Sequence, residues 1–517
     1  MSAPLDALTS WHADWKGLRV AVLGLSVTGF SAADTLTELG ADVLVISESA
    51  SEEYERLVPV IGARLALGPL DAVPQELVDF APQVVVASPG FAPSHPLIRW
   101  TQDAGIALWG DVELAWRVRD KVVRADGTPA DWVLITGTNG KTTTTQLTAT
   151  LLVEGGLRAA PCGNIGVPVL DAVRDPAGFD VLVVELSSHQ LWYIGQSAPE
   201  GELVPHSSVC LNIADDHLVW HGSADAYRAA KAFVYRNTRV ACVYNKADLA
   251  TREMVEDADV TEGARAIGFD LGVPGPGDLG IVDGILVDRA FLDDRRNSAL
   301  ELTTIAELER LGLSAPHIVQ NILAASALAR ALGTQPEAIR RALAGFHLDE
   351  HRIQVIARHA GITWVDDSKA TNPHAAASSL RAYPGALWVV GGDLKGVDLT
   401  ELIAGAGRTA GAALVIGVRR DEIVAAFARH APDVPVHEVV TGETEDVMTR
   451  VVQLAAGIAT DGSTVLLAPA AASFDQFTSY ADRGRRFAEA VRTWIDSTGT
   501  DRGSADDTGG SPSAHRP

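Results

Sequence analysis

Cysteine is scarce in this chain: three residues, Cys162, Cys210 and Cys242, among 517. That count excludes a disulfide framework and fits a reducing compartment, so a cytoplasmic protein is expected. Positive charge is also in deficit. Lys and Arg total 42 against 66 Asp and Glu, a formal net charge of −24. No basic stripe offsets that excess, so no nucleic-acid partner is expected. The acidity favours solubility and carries no information about fold. No uncharged apolar run reaches the roughly 18 residues that a membrane-crossing helix needs, and no membrane span is expected. The opening stretch, MSAPLDALTSWHADWKG, has neither a basic region nor an apolar core, so no signal peptide is expected. What is present is a chain of 47% apolar residues, enough for about three cored domains of ordinary size.

Three segments each open on a strand-like run and continue as alternating strands and helices, the pattern of parallel α/β sheets. The first opens at Leu18–Gly24, continues as a helix through Leu39, and adds apolar runs at Asp42–Ile46 and Val84–Ala87. The polar, Gly/Pro-containing stretch Asp120–Asp131 reads as a linker. The second segment starts at Trp132–Ile135, passes into a Gly/Thr-rich loop, and has further strands at Val181–Val184 and Ser208–Leu211. Asp283-Gly284 between apolar runs predicts a β-hairpin within Gly280–Val287, and an Ala/Leu-rich helix follows over His317–Leu332. The third starts near Arg352, with strands at Leu387–Val390, Ala413–Ile416 and Thr464–Ala468. From 498 to 517 the chain is polar and Gly/Ser-rich, and a disordered tail is expected. No short repeat is visible.

The most informative stretch is Ile135-Thr136-Gly137-Thr138-Asn139-Gly140-Lys141-Thr142-Thr143. An apolar strand feeds a glycine-containing turn, then Gly-Lys-Thr, then a helix. Glycines let backbone N–H groups approach a polyphosphate, the helix N-terminus adds positive potential, and Lys141 suits the β- and γ-phosphates. The Thr142 hydroxyl suits Mg²⁺. The general phosphate-loop pattern would have glycine where Ile135 stands, so this is a shorter variant. The competing reading is a strand-to-helix turn with an exposed lysine.

Two more polar clusters end apolar strands, where open α/β sheets bind ligands. Glu185 closes Val181–Glu185, as a metal ligand, a water-positioner or a surface acid. His217 follows Val209-Cys210-Leu211-Asn212-Ile213-Ala214-Asp215-Asp216, as a structural histidine or the holder of a second metal. Lys231, in Ala226–Phe233, reads from its residues alone as an ordinary helix lysine.

The ordered set Thr136–Thr143, Gly163-Asn164-Ile165-Gly166, Glu185-Leu186-Ser187-Ser188 and Asp216-His217 resembles the Mur ligase family. Asp367-Ser368-Lys369-Ala370-Thr371-Asn372 resembles the form carried by the member that adds D-glutamate. Gly391-Gly392-Asp393-Leu394-Lys395, Ser473–Phe477, Ser88-Pro89-Gly90 and Gly110–Leu114 fit the same member, and the likeness spans residues 17–495. It implies an α/β protein of three domains. They are a Rossmann-like UDP-sugar domain (1–124), a P-loop ATPase-like central domain (125–349) and a Rossmann-like C-terminal domain (350–497). It implies an ATP-dependent amide ligase acting on UDP-N-acetylmuramoyl-L-alanine, D-glutamate and ATP through an acyl phosphate, with two Mg²⁺ sites. A monomer is expected.

The resemblance also implies residue roles. Gly137, Thr138, Asn139, Gly140, Lys141, Thr142 and Thr143 would bind ATP phosphates, and Asn321, Arg352 and Asp367 would contact the nucleotide. Thr142 and Glu185 would hold one Mg²⁺, and His217 with a carbamylated Lys231 the second. Val27, Thr28, Ser88, Gly90, Asn164, Ser187 and Gln190 would hold the UDP-sugar. Lys369, Thr371, Lys395, Ser473 and Phe474 would receive the glutamate, whose two carboxylates call for cations and hydroxyls. The chain departs from the family's usual pattern at Ser26 (commonly Gly), Ser47 (an acid, here displaced to Glu48), Ile318 (often Asn), Pro373-His374 and Tyr480 (usually Phe).

Three other readings stand beside this one. A sister ligase could add another residue, although Lys369 and Lys395 suit an acidic acceptor better than a diamino acid. An NAD-dependent dehydrogenase would use the first Gly-turn but leaves the Lys141 loop without a task. A nucleotide-dependent, non-catalytic regulator would not need the full set of metal-site residues.

Overall fold

A computed structural model of the chain describes residues 5–196, 203–394, 396–440 and 446–500. It divides into two compact units, Met1–Phe346 and His347–Pro517.

The first unit holds two sheets. One is built from β1 (Arg19–Leu23), β2 (Asp42–Ser47), β3 (Arg64–Leu67), β4 (Val84–Ala87) and β5 (Ala107–Gly110). Their order is β3-β2-β1-β4-β5, and every pair is parallel. Val20 to Leu23 and Val84 to Ala87 are buried throughout, as expected of strands covered on both faces. The edge strand β3 is only half-buried, and its apolar run, Leu65-Ala66-Leu67, is three residues long.

The second sheet has nine strands: β6 (Asp131–Thr136), β7 (Ala159–Gly163), β8 (Val181–Glu185), β9 (Ser207–Cys210), β10 (Ala241–Asn245), β11 (Arg265–Phe269), β12 (Asp278–Val282), β13 (Ile285–Asp288) and β14 (Leu300–Thr304). The order is β14-β13-β12-β11-β10-β9-β6-β8-β7, which sets β6 between β9 and β8. The predicted hairpin is β12–β13, with Val282 paired to Ile285. Asp283 (φ 49°) and Gly284 (φ 78°) form its two-residue turn, a conformation that Asp-Gly adopts readily. The core helix Pro316–Ala331 packs on helix Lys141–Glu154 and on β9 to β11. No single helix among the described residues is long and apolar enough to cross a membrane.

The two sheets are tied together by ion pairs and hydrogen bonds. Arg174, beyond β7, donates to Asp34 at 2.6 Å and to the Thr35 hydroxyl at 2.9 Å, and pairs with Glu38 at 2.9 Å. Ser31 Oγ donates to Asp171 at 2.5 Å. These groups fix helix Val27–Glu38 of the first sheet against helix Val169–Arg174 of the second.

The second unit carries β15 (Gln354–His359), β16 (Ile362–Asp366), β17 (Leu387–Gly391), β18 (Ala412–Ile416), β19 (Val436–Glu438) and β20 (Thr464–Leu467), in the order β15-β16-β20-β17-β18-β19. All pairs are parallel except β15–β16. Pro373 and His374 open helix Pro373–Ala382, where the Asn372 side chain caps the Ala375 N–H at 2.9 Å and proline takes the first turn without losing a bond. The expected tail is corrected at its start. Helix Tyr480–Thr500 runs past 497, and the Thr498 hydroxyl donates to Trp494 O at 3.1 Å. A polar composition does not stop a helix whose preceding turns are already anchored. Residues 501–517 of that expectation lie outside the described residues.

Candidate functional site

The phosphate loop leaves β6 and is clamped by its neighbours. Thr136 Oγ1 donates to Leu186 O at 2.8 Å, beyond β8. On the other side Asn212, beyond β9, makes a reciprocal pair: Asn139 N–H donates to its Oδ1 at 2.8 Å, and its Nδ2 donates to Asn139 O at 3.0 Å. Thr138 Oγ1 and the Tyr227 hydroxyl share a bond of 2.8 Å. Gly140 (φ 84°) has no room for a side chain, since a Cβ there would lie 2.5 Å from Asn321 Oδ1. Asn321 is thereby held against the loop from the core helix. Lys141 Nζ turns back to donate to Gly137 O and Thr138 O, each at 3.0 Å. Thr142 and Thr143 follow in the first turn of the helix.

Glu185 ends β8 beside Ile135 and Gly163. It is 1% exposed. Asn164 Nδ2 donates to its Oε1 at 3.0 Å, while its Oε2 is buried and has no hydrogen-bond partner among the described residues. A buried carboxylate oxygen in that state is costly unless a cation or donor joins it. That oxygen suits Mg²⁺, which takes oxygen ligands and keeps phosphate and water in its shell. Among the described residues no group of three or more His, Cys, Asp and Glu converges on one metal position. An ion here would therefore draw its remaining ligands from substrate and solvent.

His217 sits at the turn beyond β9 in a left-handed conformation (φ 53°), its side chain half exposed. Its ring lies 4.7 Å from that of His189. Lys231 is buried beneath the loop. Its Nζ donates to Gly137 O at 2.8 Å and Thr136 Oγ1 at 3.1 Å. Burial first, then the charge of Lys141, pulls its ammonium down to about 7.

Val27, Thr28, Ser88 and Gly90 lie beyond the carboxyl ends of β1 and β4. Ser88 Oγ donates to Gly24 O at 3.3 Å. Ser26 stands at the N-cap position of helix Val27–Glu38, without a side-chain cap bond, at φ −122°, a backbone conformation that does not call for glycine. Gly29 is the demanding position: a Cβ would stand 1.9 Å from Gly24 O. Ser47 Oγ accepts the Leu25 N–H at 3.3 Å and donates to Ser49 O at 2.8 Å, tying the turn to β2. Ser187 and Gln190 follow Glu185 and bond to each other.

In the second unit, loop 366–371 and loop 468–474 are brought together by Ala470 N–H donating to Ala370 O at 2.9 Å. Arg483 is the organiser. Fully buried, it donates to Ser368 Oγ (3.0 Å) and Ser368 O (2.9 Å), and to Ala471 O (3.1 Å) and Ala472 O (3.2 Å). Asp367 is buried and accepts from Ile353 N–H at 3.3 Å and from the Ser379 hydroxyl. Burial pushes it up to about 6. Beside it, His351 bonds Asp366 at 2.6 Å, which raises the imidazole above its usual value. Lys369 Nζ stands 3.9 Å over the Tyr480 ring. Ser473 is buried and Phe474 exposed on the neighbouring loop, and Thr371 ends the first. Arg352 Nε lies 3.8 Å from Asp349. Lys395 lies outside the described residues. Asn212, Tyr227, His351 and Arg483 carry no motif that would single them out in the sequence.

Family models match along the chain: the Mur ligase middle domain over residues 135–329, and the Mur ligase, glutamate ligase domain over residues 351–471. With relatives matching nearly its whole length, the chain belongs to the Mur ligase family. Among those relatives, a protein of Leifsonia xyli subsp. xyli named UDP-N-acetylmuramoylalanine–D-glutamate ligase is 61% identical over 504 residues, covering 97% of each chain. A protein of Streptomyces coelicolor with the same name is 48% identical, covering 93% of this chain and 98% of the relative. Two solved structures from Thermotoga maritima, a UDP-N-acetylmuramate-alanine ligase and a MurF ligase in complex with ADP, each reach a TM-score of 0.53 at 18% identity. They cover 92% and 95% of this chain and 99% of their own, and at that identity they establish a shared α/β fold.

Proposed function

We propose that the chain is an ATP-dependent amide ligase that adds D-glutamate to UDP-N-acetylmuramoyl-L-alanine in peptidoglycan precursor synthesis, acting in the cytoplasm as a monomer. The observation that carries this reading is the 61% identity, over nearly the whole of both chains, to a relative of that name. The domain bounds that go with it are 1–124, 125–349 and 350–497.

The chemistry needed is activation of a poor acyl donor. The alanyl carboxylate oxygen attacks the γ-phosphorus of ATP, the bond to the β–γ bridging oxygen breaks, and ADP leaves. The glutamate ammonium gives up a proton to solvent, its neutral nitrogen attacks the acyl carbon, the acyl C–O bond breaks, and the nitrogen's second proton leaves with the departing phosphate. Catalysis is then mostly positioning and charge neutralisation. Lys141 and the N–H groups of residues 137–143 hold the phosphates. Asn321, Arg352 and Asp367 hold the nucleotide, with Asp367 suited to ribose hydroxyls and Arg352 to phosphate. Val27, Thr28, Ser88, Gly90, Asn164, Ser187 and Gln190 orient the UDP-sugar. Lys369, Thr371, Lys395, Ser473 and Phe474 receive the glutamate.

Mg²⁺ held by Thr142 and Glu185, and a second ion held by His217 and carbamylated Lys231, would neutralise phosphate charge at this site. The orphaned Glu185 oxygen supports the first. The Lys231 amine, neutral in part near pH 7, supports the second, because only a neutral amine adds CO₂ to give a carbamate and a proton.

The test is phosphate release from ATP, UDP-N-acetylmuramoyl-L-alanine and single amino acids. Release with D-glutamate alone is expected. Release with a different amino acid would make the chain a sister ligase, release with ATP alone a nucleotide switch, and no release with any acceptor a regulator.

A further inference from the structure

The loop beyond β8 is braced from the first sheet. Helix Ser188–Gln196 packs on β5 and on helix Asp111–Arg117, and the Tyr193 hydroxyl donates to Phe91 O at 2.7 Å. Inside that contact runs a short chain of hydrogen bonds. Gln190 Nε2 donates to Asp111 Oδ2 at 3.0 Å. Gln190 Oε1 accepts from the Ser187 N–H at 3.1 Å and from the Ser187 hydroxyl at 3.2 Å. Ser187 Oγ in turn accepts from the Gln190 N–H at 3.2 Å. Asp111 and Gln190 are 4% and 3% exposed.

These partners leave the Gln190 amide one satisfied orientation. Burial lifts Asp111 only to about 6, so in a mildly alkaline assay it is a carboxylate and accepts only. The Ser187 N–H donates only. The amide must therefore turn its NH₂ to Asp111 and its oxygen to Ser187.

We propose that Asp111 is a positioning residue for the UDP-sugar substrate: through Gln190 it fixes the backbone and hydroxyl of Ser187, carrying the geometry of the first sheet into the loop that follows Glu185. The inference rests on the reading of Ser187 and Gln190 as substrate contacts. Without the carboxylate the Gln190 Nε2 loses its buried acceptor and the side chain loses its anchor on the first sheet, so Ser187 is held less firmly.

The experiment measures KM for all three substrates, with a thermal melt, in Asp111→Ala, Asp111→Asn, Gln190→Ala, Ser187→Ala and the Asp111→Ala/Gln190→Ala double variant. Asp111→Ala is expected to raise the UDP-substrate KM about tenfold while the other two KM values stay near wild type. Asp111→Asn keeps an acceptor oxygen in place and should restore it. In the Gln190→Ala background, Asp111→Ala should add nothing. A merely structural role would move all three KM values together or add in the double variant, and either result overturns the proposal. So does an unchanged KM in Asp111→Ala when Gln190→Ala and Ser187→Ala raise it. If neither of those two raises it, the substrate reading of the loop fails first and takes this inference with it. Should Asp111→Ala not fold, Gln190→Glu sets carboxylate against carboxylate. It should raise the same KM and be relieved by adding Asp111→Asn, and no relief overturns the proposal.

Discussion

In each unit a fully buried cation lies beneath a loop that follows a strand, Lys231 in the first and Arg483 in the second, and the two are treated differently. Lys231 in the first unit meets two neutral oxygens and sits near 7, so the fold holds it close to losing its charge. Arg483 in the second unit meets four oxygens from two loops, and burial lowers it only to about 10, so it stays charged. A guanidinium fork that spends four of its five N–H groups across two loops is a scaffold, whereas an ammonium held by only two neutral oxygens is kept close to its neutral form. The burial is the same and the number of acceptors differs.

The largest effect that tests this contrast is loss of turnover in Lys231→Ala, expected to fall roughly a thousandfold with the melting temperature little changed. Short-chain carboxylates should restore part of the rate, since they supply the anion that a carbamate would. No rescue in a folded variant would leave Lys231 as a buried amine without carbamate chemistry. Lys141→Ala should also abolish turnover, measured as phosphate release, but without rescue by carboxylates. Rescue there would erase the distinction between the two lysines.

Arg483→Lys comes next. A point-like ammonium cannot reach both loops, and loss of two or so charge-assisted bonds should destabilise the second unit by about 3 kcal/mol, read in a denaturant titration. The glutamate KM should rise more than the ATP KM, because loops 366–371 and 468–474 lose their common anchor. A variant as stable as the parent would show that the guanidinium fork is dispensable, and the contrast with Lys231 would fall.

Sequence reasoning reached the parts of the site that are local in the chain. Strand, glycine turn, Gly-Lys-Thr and helix lie within about twenty residues, and Glu185 closes an apolar run, so both are legible from pattern alone. The hairpin at Asp283-Gly284 is legible for the same reason: its turn chemistry is written in two adjacent residues. Lys231 is not. It reads as a helix lysine because its burial comes from Thr136 and Gly137, some ninety residues away in the chain. Arg483 hides among the exposed arginines of helix Tyr480–Thr500, and Asn212 is one polar residue in a polar cluster until Asn139 is placed beside it. The strands β3 and β5 are short runs at the edges of their sheet and give no strong periodic signal. The helix running past 497 escapes composition, because there the Thr498 hydroxyl is spent on Trp494 O and Ile495 O, inside the helix.

The smallest expected effect sharpens the comparison from the acidic side. Asp367 is buried and sits near 6 rather than 3.8, with burial as the leading cause. The sign follows from proton uptake. Between about pH 4 and 6 the folded chain keeps a proton that the unfolded chain has released, so stability falls as pH rises through that window and the full cost is present at pH 7. Asp367→Asn removes the charge while keeping an acceptor for one of its two hydrogen bonds. The variant should gain about 1 kcal/mol at pH 7, and its stability should vary less between pH 4 and 6. It should also bind ATP more weakly, because an amide replaces the carboxylate read as accepting from the ribose. Denaturant titrations at pH 5 and pH 7, with an ATP KM, decide it. A variant less stable than the parent at pH 7 would mean that the Ser379 and Ile353 bonds outweigh the burial of the charge, making Asp367, like Arg483, part of the scaffold.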